Sequence, residues 1–347
     1  MVKTMKAGIY SGPQDIRVKE IPVPTIKPGH VLVQNKASGI CGSDLHEYYG
    51  AWKQPTNIAS GHEFSGIVLE VGPEVKSVVN GDHVCAECFS HCGECTFCRT
   101  GLYNLCANRS YIGTREGHGG FAEYALLPES SVFVLPETFS FEEGALIEPL
   151  AVAYRSLFRT HPHSSDHVAI LGAGTIGLCC LAIAKATGIR NVLITAKYEQ
   201  QTKMADTLGA DQILRTSTES YKTALNETAS TDTIDIVIDT IAIDQTFQDA
   251  LTLIRKGGTI CLVGGYTHSF NVSLRPIVSK ELQVVGSMCY GYSGMQKDFS
   301  AVIELVARKK INALPLITHR FPLTEIGQAF RTAVDKTSGS IKVLITH

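Results

Sequence analysis

The chain has 347 residues, enough for about two domains at roughly 150 residues each, and too many for a disulfide-stapled mini-protein. Lys and Arg total 31 against 33 Asp and Glu, a formal net charge of -2, so the strong positive field that binding a phosphate backbone requires is missing. Apolar residues at 44%, charged residues at 18% and 31 glycines describe a packed globular protein and exclude a disordered one.

Residues 1–10, Met-Val-Lys-Thr-Met-Lys-Ala-Gly-Ile-Tyr, lack the apolar core and small-residue cleavage site of a secretory signal, so a cytoplasmic location is expected. Short β-rich runs then alternate with turn signals such as Lys27-Pro28-Gly29-His30, Val71-Gly72-Pro73 and Asn80-Gly81-Asp82. Val31–Val33, Gly66–Val71 and Asp82–Val84 are predicted strands of one predominantly antiparallel body.

Three segments of this region carry chemistry: Gly39-Ile40-Cys41-Gly42-Ser43-Asp44-Leu45-His46, Gly61-His62-Glu63-Phe64 and Ile147-Glu148-Pro149. Singly each is weak, since a lone His on an apolar strand is more often a satisfied core residue. Together, Cys41, His62, Glu63 and Glu148 offer one sulfur, one nitrogen and two oxygens. Such a set holds zinc with a carboxylate exchanging for water, as an open catalytic site does. Asp44 is a candidate to orient the His62 imidazole. Ser43 and His46 form the minimum chain for carrying a proton from a buried alcohol to solvent. Zinc lowers the pKa of bound water from about 15.7 to about 7, and an alcohol there is expected to be acidified likewise. The alkoxide carbon can then release hydride, which no side chain accepts, so a redox cofactor is required.

Of eleven cysteines, seven lie between Cys41 and Cys106 and five of those between Cys88 and Cys106, a clustering that reads as metal binding in a chain without a signal. Cys92, Cys95, Cys98 and Cys106 are spaced Cys-x2-Cys-x2-Cys-x7-Cys. Four thiolates fill a tetrahedral zinc and leave no position for substrate, so this site is expected to clamp a loop. Four free or oxidised cysteines are the competing reading. An iron–sulfur cluster is disfavoured, because a bacterial ferredoxin run places its fourth cysteine only three residues on. Cys179, Cys180, Cys261 and Cys289 sit in apolar surroundings and are read as small buried hydrophobes.

From about His167 strands and helices alternate, the signature of a parallel sheet. The predicted strands are His167–Leu171, Asn191–Thr195, Asp211–Leu214, Asp235–Asp239, Thr259–Val263 and Gln283–Gly286, six in all, as two mononucleotide-binding halves require. Val168–Ala184 runs 17 residues without a charge, close to the lower limit for a membrane span. Its Gly172-Ala-Gly174-Thr175-Ile176-Gly177 motif suits a strand, turn and helix instead. Gly172 would permit the tight turn, Gly174 the approach of a pyrophosphate, and Gly177 the packing of helix on sheet. The acid that would bond a ribose 2′-hydroxyl at the end of the next strand is missing. Ala196 stands there, followed by Lys197, with Lys203 a further basic candidate, and this favours NADP over NAD. A helix around Phe299–Lys309 and a strand at Ile341, Val343 and Ile345 close the chain, and the tail is expected to return to the first domain.

These motifs, with Gly119-Gly-Phe-Ala-Glu-Tyr124 among them, resemble the zinc-dependent medium-chain alcohol dehydrogenases from Met5 to His347, most closely their polyol (sorbitol-like), butanediol and threonine dehydrogenase branch. The resemblance implies an α/β protein. A β-rich GroES-like catalytic domain (1–153 and 291–347) would enclose a doubly wound parallel-sheet Rossmann cofactor domain (154–290). It assigns Cys41, His62 and Glu63 to a catalytic zinc, with Glu148 as a further ligand or one acting through water, and Cys92, Cys95, Cys98 and Cys106 to a structural zinc: two ions per chain. It makes Ser43 and His46 the proton relay, and puts Val263, Gly264, Gly265, Ser287 and Met288 near the nicotinamide. Ala196 and Gln201 depart from the aspartate and arginine common in NAD-using relatives, and Thr175 replaces a frequent proline. A homo-oligomer, dimer or tetramer, is implied.

The expected activity is hydride transfer between a nicotinamide cofactor and a secondary alcohol/ketone pair, a polyol, diol or sugar-alcohol-like small molecule. Tyr48, Tyr49, Trp52, Arg115 and Glu116 are candidate pocket residues. A threonine- or amino-alcohol-type dehydrogenase is the alternative substrate reading. A catalytically silent dinucleotide-binding sensor is the alternative class, disfavoured because every ligand and relay group is present. Binding of nucleic acid through the cysteine lobe, or of membrane, is not expected.

Overall fold

Met5, Ala7 and Ile9 point inward from Thr4–Gly12 (β1) while Thr4 and Lys6 stay outside, the period of two that a strand imposes. In the computed structural model, which describes residues 3–54, 57–113, 118–265, 269 and 271–347, β1 pairs antiparallel with Asp15–Pro22 (β2). His30–Gly39 (β3) leads through helix Gly42–Tyr48 (α1) to Glu63–Val71 (β4) and His83–Ala86 (β5). Tyr124–Pro128 (β6) pairs with β3 and Val132–Val134 (β7) with β5, both antiparallel. The predicted strands here are short by several residues, because a turn signal marks only one end of each. Phe141–Ala145 (α2) starts at a capping box, in which the Ser140 hydroxyl accepts from the Glu143 N–H and the Glu143 carboxylate accepts from the Ser140 N–H.

After Ile147–Phe158 (α3), strands and helices alternate: His167–Leu171 (β8), Thr175–Ala186 (α4), Asn191–Ala196 (β9), Glu199–Thr207 (α5), Gln212–Arg215 (β10), Tyr221–Ser230 (α6), Ile234–Asp239 (β11), Asp244–Leu253 (α7), Ile254–Leu262 (β12) and Gln283–Gly286 (β13). The sheet order is β10-β9-β8-β11-β12-β13, all parallel, the doubly wound order of a dinucleotide-binding fold. Val168–Leu171 is buried at every residue, as expected of a strand covered on both faces. Its neighbours Leu193, Val237 and Ile260 pack with Phe247 and Leu251 of α7.

The chain then returns to the first sheet through Asp298–Ala307 (α8), Ile317–Pro322 (β14), Ile326–Val334 (α9) and Lys342–Thr346 (β15). β15 pairs antiparallel with β3, Leu344 opposite Gly39, completing a seven-stranded sheet β14-β15-β3-β4-β5-β7 with β6 on β3. The β14–β15 pair is parallel. Helix α9 lays Ile326, Ala329, Phe330 and Ala333 on Tyr10, Phe121, Val343 and Ile345.

Two units result: 1–148 with 299–307 and 312–347, and 149–298 with 308–311, against expected cuts at 153/154 and 290/291. Residues 291–298 stay with the second unit because Asp298 grips their hairpin. Its carboxylate accepts from the Gly291 N–H at 2.6 Å, its own N–H donates to the Gly291 carbonyl at 2.9 Å, and Arg155 donates to the Tyr292 carbonyl. Among the described residues no helix is long and apolar enough to cross a membrane.

Candidate functional site

The metal centre of the first unit is assembled by strand register. Gly39 lies opposite Glu63 in the β3–β4 ladder, so the turn after β3 and the start of β4 meet at one end of the sheet. Cys41 is the N-cap of α1, and its N–H donates to Asp44 Oδ2 at 2.8 Å. The ligand atoms of Cys41, His62 and Glu63 lie within 4.8 Å of one another. Glu148, expected with them, stands outside this set, yet is near enough to act on the His62 charge. Ser43 Oγ is 3.4 Å from His62 Nε2, and Asp44 Oδ1 is 3.8 Å from His62 Nδ1, beyond a hydrogen bond but facing the nitrogen it was expected to orient.

Lys342, which sequence reasoning missed, completes the centre. Its ammonium is buried, donating to Glu63 Oε2 at 2.5 Å and to the Ile40 carbonyl at 2.9 Å. Gly39 leaves room for this pair: a Cβ there would lie 2.2 Å from Glu63 Oε2. The other carboxylate oxygen, Oε1, is buried without a hydrogen-bond partner among the described residues. A lysine inside the apolar run Ile341-Lys342-Val343-Leu344-Ile345 was the available signal, since an ammonium is rarely buried unpaired.

The centre is electrically unbalanced. Burial pushes Asp44 up to about 6 and Glu47 up to about 8. Burial, then the Glu63 charge, raises the Cys41 thiol. Burial opposes the His62 imidazolium, but Asp44, the Cys41 sulfur and Glu148 outweigh it and hold the imidazole well above its usual value. A surplus of buried acids with a soft sulfur, an imidazole and a partnerless carboxylate oxygen is a donor set that fits zinc.

His46, at the other end of α1, stacks on Trp52 with ring centroids 4.9 Å apart, and its carbonyl accepts from the Ala51 and Trp52 N–H groups. Tyr49 and Trp52 are exposed. Tyr48 instead packs in the core against Phe330 and Tyr10, so it is a packing residue. Arg115 and Glu116 lie outside the described residues.

In the cysteine lobe the Cys92–Cys106 and Cys95–Cys98 sulfurs are 3.5 Å apart, and the Cys92–Cys98 and Cys95–Cys106 sulfurs 3.9 Å. Zn–S bonds of about 2.3 Å give a tetrahedron edge of about 3.8 Å, so this cradle also fits the ion. Backbone N–H groups lower Cys92, and Cys95 to about 6, while Cys98 is pushed up to about 12 by burial and its sulfur neighbours. The turn Thr96–Arg99 buries none of its residues. Beneath it Tyr103 is fully buried, its hydroxyl donating to Glu87.

In the second unit the turn after β8 is shaped as a phosphate cradle. Gly172 has φ +101°, and a Cβ on Gly177 would fall 1.7 Å from the Gly172 carbonyl oxygen, whereas one on Gly174 would meet nothing within 4 Å. Gly174 is the N-cap of α4 and supplies no side-chain cap, so the N-terminal amides of the Thr175–Ile176 turn face open space suited to a pyrophosphate. Thr195 Oγ1 accepts from the Gly172 N–H at 2.9 Å. Asp239, also missed, is buried at the end of β11. Its carboxylate accepts from the Ile241 and Ala242 N–H groups and the Thr246 hydroxyl, and its carbonyl accepts from the Val263 and Gly264 N–H groups. It thereby sets the loop leading to Gly265. The Ser287 N–H donates to the Leu262 carbonyl, and Met288 is exposed. Ala196 is buried, and Gln201 Oε1 accepts from the N–H groups of Lys197 and Tyr198 at 3.0 and 3.2 Å.

Residues 27–137 match the family model of the alcohol dehydrogenase GroES-like domain, and residues 175–308 that of zinc-binding dehydrogenases. L-idonate 5-dehydrogenase of Vitis vinifera is 33% identical over 345 residues, covering 96% of this chain and 92% of its own. The chain belongs to the zinc-dependent medium-chain alcohol dehydrogenases. Two solved members superpose on it: galactitol-1-phosphate dehydrogenase from Escherichia coli, at a TM-score of 0.90, 30% identity and coverage of 99% of this chain and 100% of that one, and a zinc-binding dehydrogenase from Sinorhizobium meliloti 1021 bound to NADP, at 0.90, 28% and the same coverage. This medium-chain dehydrogenase is therefore an oxidoreductase that uses zinc and a nicotinamide cofactor, with a GroES-like unit and a Rossmann unit.

Proposed function

We propose that this dehydrogenase interconverts a secondary alcohol of a polyol, diol or sugar alcohol with its ketone, binds two zinc ions per chain and prefers NADP to NAD. The observation that carries the reading is the convergence of Cys41, His62 and Glu63 among buried acids. The sugar-acid and sugar-alcohol-phosphate dehydrogenases among its relatives support the substrate class.

Cys41, His62 and Glu63 would hold the catalytic ion, with Glu148 acting through water. Bound zinc would supply Lewis acidity to the substrate hydroxyl, and the nicotinamide a hydride acceptor. Glu63 keeps one oxygen on Lys342 and turns the other inward. Asp44 orients His62. Ser43 takes the hydroxyl proton, and His46 passes it to solvent. Cys92, Cys95, Cys98 and Cys106 would hold the structural ion.

The cofactor residues are Gly172, Gly174, Thr175, Ile176 and Gly177 for the pyrophosphate, with Val263, Gly264, Gly265, Ser287 and Met288 toward the nicotinamide. Ala196 and Lys197 favour a 2′-phosphate. A homo-oligomer is supported by β13, an edge strand of the second sheet that leaves Val284 exposed. A reducing, cytoplasmic compartment suits a chain whose eleven cysteines are all free of disulfides.

The test is a 340 nm screen of the purified chain with NADP and NAD against polyols, vicinal diols, sugar alcohol phosphates, amino sugars and threonine. Turnover of the first three classes is expected. Zinc-loaded protein inert toward all of them would point to the sensor, and turnover of threonine alone to the amino-alcohol reading. Ala196→Asp should move the NADP/NAD ratio of kcat/KM toward NAD by roughly tenfold; an unchanged ratio would mean that Lys197 does not face the 2′-phosphate, and a wild-type ratio favouring NAD would remove the NADP preference.

A further inference from the structure

We propose that Arg215 reads the 2′-phosphate of the cofactor's adenosine ribose, and that Glu199 competes with this phosphate for the same guanidinium. The proposal rests on the NADP preference above and names the side chains behind it.

The β9–β10 register sets Ala196 beside Arg215, and the Thr216 N–H, donating to the Ala196 carbonyl at 2.9 Å, ties the two strand ends together. In a doubly wound sheet the adenosine ribose lies at the end of this second strand. Arg215 Nη2 is 3.0 Å from Glu199 Oε2, and Glu199 is the first residue of α5. The guanidinium is thus drawn to the β9–α5 turn, the place left without an acid by Ala196.

The backbone N–H groups of Lys197 and Tyr198 in this turn are committed. Gln201 takes the N–H groups of Lys197 and Tyr198, and Lys197 Nζ lies 5.6 Å from the Tyr198 ring centroid. Recognition therefore falls to a side-chain cation. An arginine fork matches phosphate with two parallel hydrogen bonds, which a lysine point charge cannot. The Arg215 and Glu199 side chains are 44% and 56% exposed, so the pair is weak and exchanges a carboxylate for a dianionic phosphate at little cost. Glu199 opposes that exchange by holding the guanidinium and by repelling the phosphate.

The test is calorimetric titration of 2′,5′-ADP and 5′-AMP into the zinc-loaded full-length chain and its Arg215→Gln, Arg215→Lys and Glu199→Gln variants. The wild type is expected to bind 2′,5′-ADP more tightly. Arg215→Gln should lose about tenfold in 2′,5′-ADP affinity and keep its 5′-AMP affinity, which serves as the check on folding. Arg215→Lys should retain part of the preference, and Glu199→Gln should gain several-fold for 2′,5′-ADP alone. If the wild type prefers 2′,5′-ADP and Arg215→Gln does so equally, the proposal is overturned while the NADP preference stands. If the wild type binds both fragments alike, the NADP preference fails and takes the proposal with it.

Discussion

The two clusters of side chains in the first unit that could hold a metal differ in how they are built. Cys92, Cys95, Cys98 and Cys106 come from one stretch of 15 residues, whose turn Thr96–Arg99 buries none of its residues. Cys41, His62 and Glu63 come from two strand ends and are buffered by Lys342, some 280 positions on, through a sheet that the C-terminal strand completes. A local clamp needs only spacing, and four identical ligands would close an ion off. The mixed centre needs the whole sheet, and that keeps its ligand set open.

Removing a ligand from the mixed centre tests the contrast most severely. Cys41→Ala should lower kcat on the order of 10³-fold or more, several kcal/mol of barrier, and remove one zinc while the cysteine lobe keeps its own. Retained turnover in elemental analysis-verified one-zinc protein would break the assignment.

Lys342→Met leaves Glu63 buried beside acids and no longer paired. The expected loss is about 3–5 kcal/mol in urea unfolding, together with weaker zinc retention at this centre. A midpoint equal to wild type would mean that the pair does not hold the sheet end together.

Cys95→Ser should also cost roughly one zinc per chain, but the damage should stay local: faster proteolysis within 92–106 and a small shift of the main unfolding transition. Unaltered metal content would contradict the structural site.

The smallest effect is expected at an exposed counterpart of the Glu63–Lys342 pair. Arg320 donates twice to the Glu142 carboxylate, both at 2.7 Å, with the side chains 46% and 29% exposed. Arg320→Ala should cost at most about 1 kcal/mol. The Arg320 hydrogen bond holds the Glu142 carboxyl below its usual value. Its contribution is therefore present above the unfolded-state value near 4.3 and is lost as pH falls through the lowered folded value. A difference in stability between wild type and variant that stays constant from pH 6 down to pH 2 would exclude this linkage.

Much of this was legible beforehand. The cysteine spacing, the glycine turn and the strand–helix rhythm are local signals, read within a few residues, and all reappear as structure. The strands were read less well: β1, β2, β6, β7 and β14 went unpredicted, and residues 291–298, expected with the first unit, cluster with the second, to which Arg155 ties their hairpin. Tyr48 reads as a pocket aromatic because it follows the Cys41 segment closely, but it lies on the buried face of α1. At the metal centre, donor types alone grouped Glu148 with Cys41, His62 and Glu63, and only the fold shows that its carboxylate stands outside the cluster of the other three.

The order of residues was enough to determine the chemistry available: a tetrathiolate clamp, a thiolate–imidazole–carboxylate set and a glycine turn for a pyrophosphate. Each is written in a short run whose backbone geometry follows from local propensity. Only the tertiary structure decided which acid was anchored, by which cation, and which polar groups lay beside Ala196. Lys342 meets Glu63, and Arg215 lies beside Ala196, through strand pairing, and pairing between distant strands is fixed by burial of the whole sheet rather than by neighbours in the chain.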